Sequence, residues 1–172
     1  MEYRSLSKKT EELLNQQVAM EAKASAIYLG MASWCERNAF EHSAKFFYLQ
    51  SDEERMHMLK IFNYLNEVGG QAISPEITDI PQDYESLKNL CESFLNHEVS
   101  VTQSINALMS HCYQENDFIT INFLQWFATE QREEEMTARR ILDFFEVAGD
   151  EGVALYMIDQ SIGNLATSSE EG

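Results

Sequence analysis

The stretch SDEERMHML, Ser51 to Leu59, sets Glu54 and His57 three residues apart in a segment with the spacing of a core-facing helix. Counting in sevens from Phe40 gives Phe47, Glu54, Ile61 and Val68, an apolar stripe with one carboxylate at its centre. The same count elsewhere gives Leu14, Glu21, Tyr28 and Cys35; then Cys91, Glu98, Ile105 and Cys112; then Thr120, Phe127, Glu134 and Ile141. Four helical stripes therefore each carry a glutamate where a helix ordinarily buries an apolar side chain.

The spacings between stripes repeat. Glu21 and Glu54 are 33 residues apart, as are Glu98 and Gln131, and Glu134 follows Gln131 by three as His57 follows Glu54. The midpoints of both intervals fall in polar turns, CERNAF and CYQENDF. Each helical hairpin thus brings its acidic positions to one depth, about 25 Å from its turn.

The periodicity predicts an all-α chain: helices over about 7–36, 41–69, 85–113 and 117–147, and a shorter fifth over 153–165. Ser7 is a candidate cap for the first, Asn38 with Glu41 resembles a capping box for the second, and Asn116 or Asp117 opens the fourth. Both prolines, Pro75 and Pro81, fall in GQAISPEITDIPQD. Fourteen extended residues cross about 46 Å, and a helix of about 30 residues is about 45 Å long. The expected architecture is a four-helix bundle with one long crossover between its second and third helices and a short C-terminal helix. It is expected to form one domain over 1–172, with TSSEEG at the end lacking fixed structure.

Composition narrows the class. The chain has 172 residues, 44% hydrophobic, and a formal charge of −17, with a mean hydropathy of −0.35. That charge repels nucleic-acid phosphates and attracts cations. No apolar run is long enough to span a bilayer and the start has no apolar leader, so the expected location is cytoplasmic, without a membrane partner. Cys35, Cys91 and Cys112, an odd count without finger spacing, are expected to be reduced. His42, His97 and His111 are expected at the surface by default, with an interface or an adventitious metal contact as the alternatives.

Four buried carboxylates at one depth cost several kcal/mol unless protonated or matched by cations. Two divalent ions would neutralise Glu21, Glu54, Glu98 and Glu134. Oxygen ligands with a single imidazole suit Fe(II) or Mn(II), with Zn(II) also able to bind.

At these residues the sequence resembles the ferritins, and more narrowly the bacterial non-haem ferritins, from NQQVAMEAKASAIYLGMASWC through FLQWFATEQREEE to GVALYMIDQ. The resemblance implies iron storage and detoxification in a cage of 24 identical subunits, each oxidising Fe(II) with O2 or peroxide at a dinuclear ferroxidase centre. In that family the fifth helix surrounds the cage's four-fold axes; the simpler role is to close the bundle. By the resemblance, Glu21 and His57 hold a first iron, Glu54 bridges, and Glu98 and Glu134 hold the second. Tyr28 is an electron donor or a core side chain, and Gln131 a hydrogen-bonding residue or weak ligand. Glu53, Glu130 and Glu133, with Glu134 shared, match a third iron site, or else form a solvated acidic face. A second Glu-x-x-His is absent, since Gln131, Arg132, Glu133 and Glu134 stand there. Arg55 occupies the position of the haem-ligating methionine of bacterioferritins, so no haem is expected. A storage subunit without fast oxidation and a di-iron oxygenase are the rival readings.

Overall fold

The computed structural model describes residues 6–169, which form five helices: α1 (Lys8–Arg37), α2 (Glu41–Glu67), α3 (Leu87–Gln114), α4 (Phe118–Ala148) and α5 (Val153–Ser169). Ser7 caps α1 by accepting from the Thr10 N–H, Ser86 caps α3 through Asn89, and Asp117 caps α4 through Thr120. The first four helices make two antiparallel hairpins with short turns. The third helix begins two residues later than the heptad count suggests, because Ser86 holds its first turn.

Three helices stop in the same way. At the end of α2 the Gly70 N–H reaches the Leu65 carbonyl at 2.8 Å and the Gly69 N–H reaches Asn66 at 3.2 Å. Phe40 with Cys35 and Asp117 with Cys112 repeat the bond between Gly70 and Leu65 after α1 and α3. These paired bonds satisfy carbonyls that a helix end otherwise leaves open.

The crossover runs the length of α1. Asn15 pairs with the backbone of Gln71 and Ile73 at its start, and Arg37 with the Gln82 carbonyl and Asp83 at its end. Between them it crosses Gly30 so closely that a β-carbon there would sit 2.9 Å from the Pro81 carbonyl oxygen. The third helix therefore starts beside the end of α1, giving an up-down-down-up bundle.

Every heptad residue from Leu14 to Ile141 is buried, whereas Phe40 and Val68 at the ends of the second stripe are only partly so. The apolar core is not continuous. One cluster gathers Tyr28, Phe47, Phe94 and Ile141; the other gathers Leu14, Ile61, Ile105 and Phe127. Between them, on each of the four helices, lies the acidic position. Ser25 and Ser51 fix the depth of α1 against α2 just beside this layer, each hydroxyl donating to the other's carbonyl at 2.7 Å.

The start of α2 departs from the capping box expected of Asn38 and Glu41. Asn38 spends its amide on the Trp34 carbonyl, closing α1, and Phe40 at the cap position offers no side-chain acceptor. The cap comes from α5 instead. Asp159, buried, accepts from the Ser43 N–H at 2.8 Å, the Ser43 hydroxyl at 2.6 Å and the His42 N–H at 3.3 Å. The two helices approach until a β-carbon on Gly163 would lie 2.7 Å from that of His42. Helix α5 also runs past Leu165 to Ser169, with Ala166 buried, so the first three residues of TSSEEG are helical. The last three, and residues 1–5, lie outside the described residues.

Removing this acceptor strands three donors, so Asp159→Ala is expected to cost about 1–3 kcal/mol and to lower the thermal midpoint by several degrees. Limited proteolysis should then cut first within α5. An unchanged midpoint would show that apolar packing alone holds α5 on the bundle.

Candidate metal centre

Glu21, Glu54 and His57 come together in the layer between the two apolar clusters. One ligand atom from each lies within 4.8 Å of the others, and all three residues are at most 1% exposed. Ligands around a transition-metal ion at roughly 2.1 Å are themselves about 3–4 Å apart, so a small contraction would close this group on a cation. Both Glu54 oxygens, Glu21 Oε2 and His57 Nδ1 are buried without hydrogen-bond partners. Such a set of unpaired acceptors beside an imidazole is expensive in an apolar core unless protons or a cation complete it. The His57 ring is held edge-on by Trp126 and Phe127, with centroids at 5.3 and 6.0 Å.

Glu98 and Glu134 face the same layer and are also buried, but they do not close to ligand spacing with this group. Glu98 has partners of its own. The Tyr28 hydroxyl donates to Oε1, and the Gln131 amide donates to Oε2 at 3.1 Å. Gln131 thus acts as a hydrogen-bonding residue towards Glu98.

Burial, before any other cause, raises the acid pKa values here. Glu21 is pushed well up by burial and then by the Glu54 charge, and Glu54 by burial and then by Glu98. Glu134 follows through burial and Glu98. Glu98 rises to about 7, its shift restrained by the Tyr28 and Gln131 donors. Tyr28 is also raised, by burial and then by Glu98.

The outer acids share a separate space. Glu53, Glu130, Glu133 and Glu134 line a cavity of about 620 Å³, together with Gln50 and Arg140. Glu134, buried in the inner layer, also lines this cavity and so joins the two. The histidines outside the centre divide. His42 is exposed at the start of α2. His97 is half-buried: its ring packs edge-on against Tyr28 at 5.6 Å, and burial drives its pKa down to about 4. His111 is half-buried, with Nε2 enclosed.

The profile of the ferritin-like domain matches residues 11–147. A probable bacterial non-heme ferritin-like protein of Haemophilus influenzae is 40% identical over 95% of this chain and 99% of its own length. A bacterial non-heme ferritin of Campylobacter jejuni is 38% identical over 96% and 99%. An open pore ferritin from the archaeon Archaeoglobus fulgidus superposes with a TM-score of 0.89 at 34% identity, covering 92% of this chain and 98% of that one. The chain belongs to the ferritin family.

Several residues of this ferritin's centre carry no signal in the heptad count. Gln17, 1% exposed, donates to Glu21 Oε1 at 2.7 Å. Trp126 braces His57 while Lys60 stands 3.7 Å over its indole ring. Gln50 holds Glu53 at 2.9 Å. Gln17 and Gln50 are visible in sequence only as polar residues one turn from an acid, at i−4 and i−3.

The raised carboxyls give the metal-free protein a defined pH response. Below the ordinary glutamate value of 4.5 both folded and unfolded chains are protonated at these positions. As pH climbs towards 7 the unfolded chain releases protons that the folded layer retains, so stability falls. The thermal midpoint of metal-stripped protein should drop by several degrees between about pH 5 and pH 7.5. A Glu54→Gln/Glu98→Gln variant should flatten that slope, which separates the layer from general repulsion among surface acids; an equally steep slope would mean the layer contributes nothing.

Proposed function

We propose that this ferritin binds Fe(II) as substrate at a dinuclear ferroxidase centre inside each bundle, oxidises it, and stores the product as ferric mineral within a cytoplasmic cage of 24 subunits. The observation that carries this reading is Glu54, whose two buried oxygens accept no hydrogen bond and which lies beside Glu21 and His57, with Oε2 3.6 Å from His57 Nδ1. A carboxylate with both oxygens free is suited to bridge two ions.

In this reading Glu21 and His57 bind the first Fe(II), Glu54 bridges, and Glu98 and Glu134 bind the second. Two ions and four glutamates leave the layer electrically neutral, which removes the cost of its burial. Each Fe(II) gives up one electron. O2 takes the two electrons with two protons and leaves as hydrogen peroxide, or peroxide takes them with two protons and leaves as two waters. The bundle contributes two ions held at fixed separation with open positions for the oxidant. Tyr28, donating to Glu98, is set to hold or supply a proton and an electron at the second ion. Gln131 orients Glu98 from the other side.

Glu53, Glu130 and Glu133, with Glu134 shared, take a third iron in the outer cavity and pass it to the mineral. The relatives named as ferritins over almost the whole chain support the storage role, and the archaeal open pore ferritin supports self-assembly. No haem takes part, since Arg55 stands where a bacterioferritin carries its methionine. No described helix is long and apolar enough to cross a membrane.

Stopped-flow oxidation at two Fe(II) per chain tests the reading on intact cages of the parent and of Glu54→Ala. The parent should form ferric product rapidly, and the variant should be slower by at least about tenfold, the scale on which even supporting residues of metal sites act. Equally slow oxidation in both, accelerating only as mineral accumulates, would favour a storage subunit without a fast centre. Oxidation of an organic substrate without cage formation would point to an oxygenase.

A further inference from the structure

Three of the four inner carboxylates, Glu54, Glu98 and Glu21, differ in how many oxygens the protein has already engaged. Glu54 has neither, and Glu98 has both. Glu21 has one: Oε1 accepts from Gln17, and Oε2 is buried without a partner. Gln17 is itself fixed from the far side, because its carbonyl accepts from the Ser104 hydroxyl on α3 at 2.5 Å. That second bond steadies the amide, while the Glu21 carboxylate, which when charged can only accept, decides which way it faces. Turned over, it would set its carbonyl against the Glu21 carboxylate, oxygen to oxygen, which is repulsive whenever Glu21 is charged. Ser104, Gln17 and Glu21 therefore form a short chain of hydrogen bonds that spans two helices and ends on a single oxygen.

We propose that Gln17 is a positioning residue that restricts Glu21 to binding metal through one oxygen, and so keeps a coordination position of the first ion open. A carboxylate with both oxygens free can bind a divalent ion through both, as carboxylates do at crowded oxygen sites. With Oε1 held by an amide that Ser104 anchors in turn, Glu21 meets the ion through Oε2, whereas Glu98 must release the Tyr28 or Gln131 donor to bind. The position left over is where solvent or the oxidant enters, which an ion closed on all sides would exclude. Glu54, with no such restraint, remains free to span two ions. The inference rests on the reading of Glu21, Glu54 and His57 as metal ligands.

Co(II) serves as the probe, because its visible absorption reports coordination number and geometry without turnover. The parent, Gln17→Leu and Ser104→Ala are compared as intact cages at one Co(II) per chain, with His57→Ala as the control for occupancy of the centre. The parent should show the stronger absorption of an ion with fewer than six ligands. In Gln17→Leu, Co(II) should remain bound while the absorption falls at least about twofold, as Glu21 closes on the ion with both oxygens. Ser104→Ala, which removes the bond that anchors the amide, should move the same way by less, and it carries the test if Gln17→Leu does not assemble. Bound Co(II) with unchanged absorption in either assembled variant overturns the role of Gln17. Loss of binding from an assembled Gln17→Leu cage also overturns it, since Gln17 would then govern affinity. If the parent shows no Co(II) signal dependent on His57, the metal-centre reading fails and the inference falls with it.

Discussion

Everything about this bundle follows from placing four carboxylates in one layer of a dry core. An ionised carboxylate out of water costs several kcal/mol, and neighbours of like charge add to that. The fold absorbs the cost in three different ways. Glu98 is surrounded by donors, Glu21 is half satisfied, and Glu54 is left open against His57. The unevenness is the informative part. A layer meant only to be tolerated would satisfy each acid alike, whereas this one concentrates its unmet demand at the position between the others.

The layer also organises the packing. It divides the interior into two apolar clusters, so the helices are gripped firmly above and below the acids by aromatic and aliphatic contacts. Helix α1 is clamped to α2 by the reciprocal serine bonds beside the layer and strapped on its outer side by the crossover. The backbone that sets the spacing of the acids is thereby held on both sides of the layer.

The fold and the inner acids were legible because both depend on period. A heptad count finds buried positions on long uninterrupted helices, and two equal intervals of 33 residues align them in depth. What stayed hidden were roles decided by hydrogen bonds. Nothing local in sequence tells that Asn38 closes α1 rather than opening α2, because both uses suit an asparagine in a turn. Gln17 reads as one more polar helical residue until Ser104 is seen across from it. His97, polar and beside an acid, reads as a surface residue, yet it lies against the Tyr28 ring. Which oxygen of a carboxylate is free is a question of angle and distance that spacing cannot answer.

The cap supplied by Asp159 reaches 116 residues back along the chain to Ser43. As the chain is synthesised from its N-terminus, the opening amides of α2 must wait with water until nearly the whole sequence has emerged. The first turn of the second helix is therefore among the last pieces of the subunit to be finished. Its completion reports that α5 has arrived and docked, so the earliest hairpin carries within it a check on the integrity of the C-terminal end.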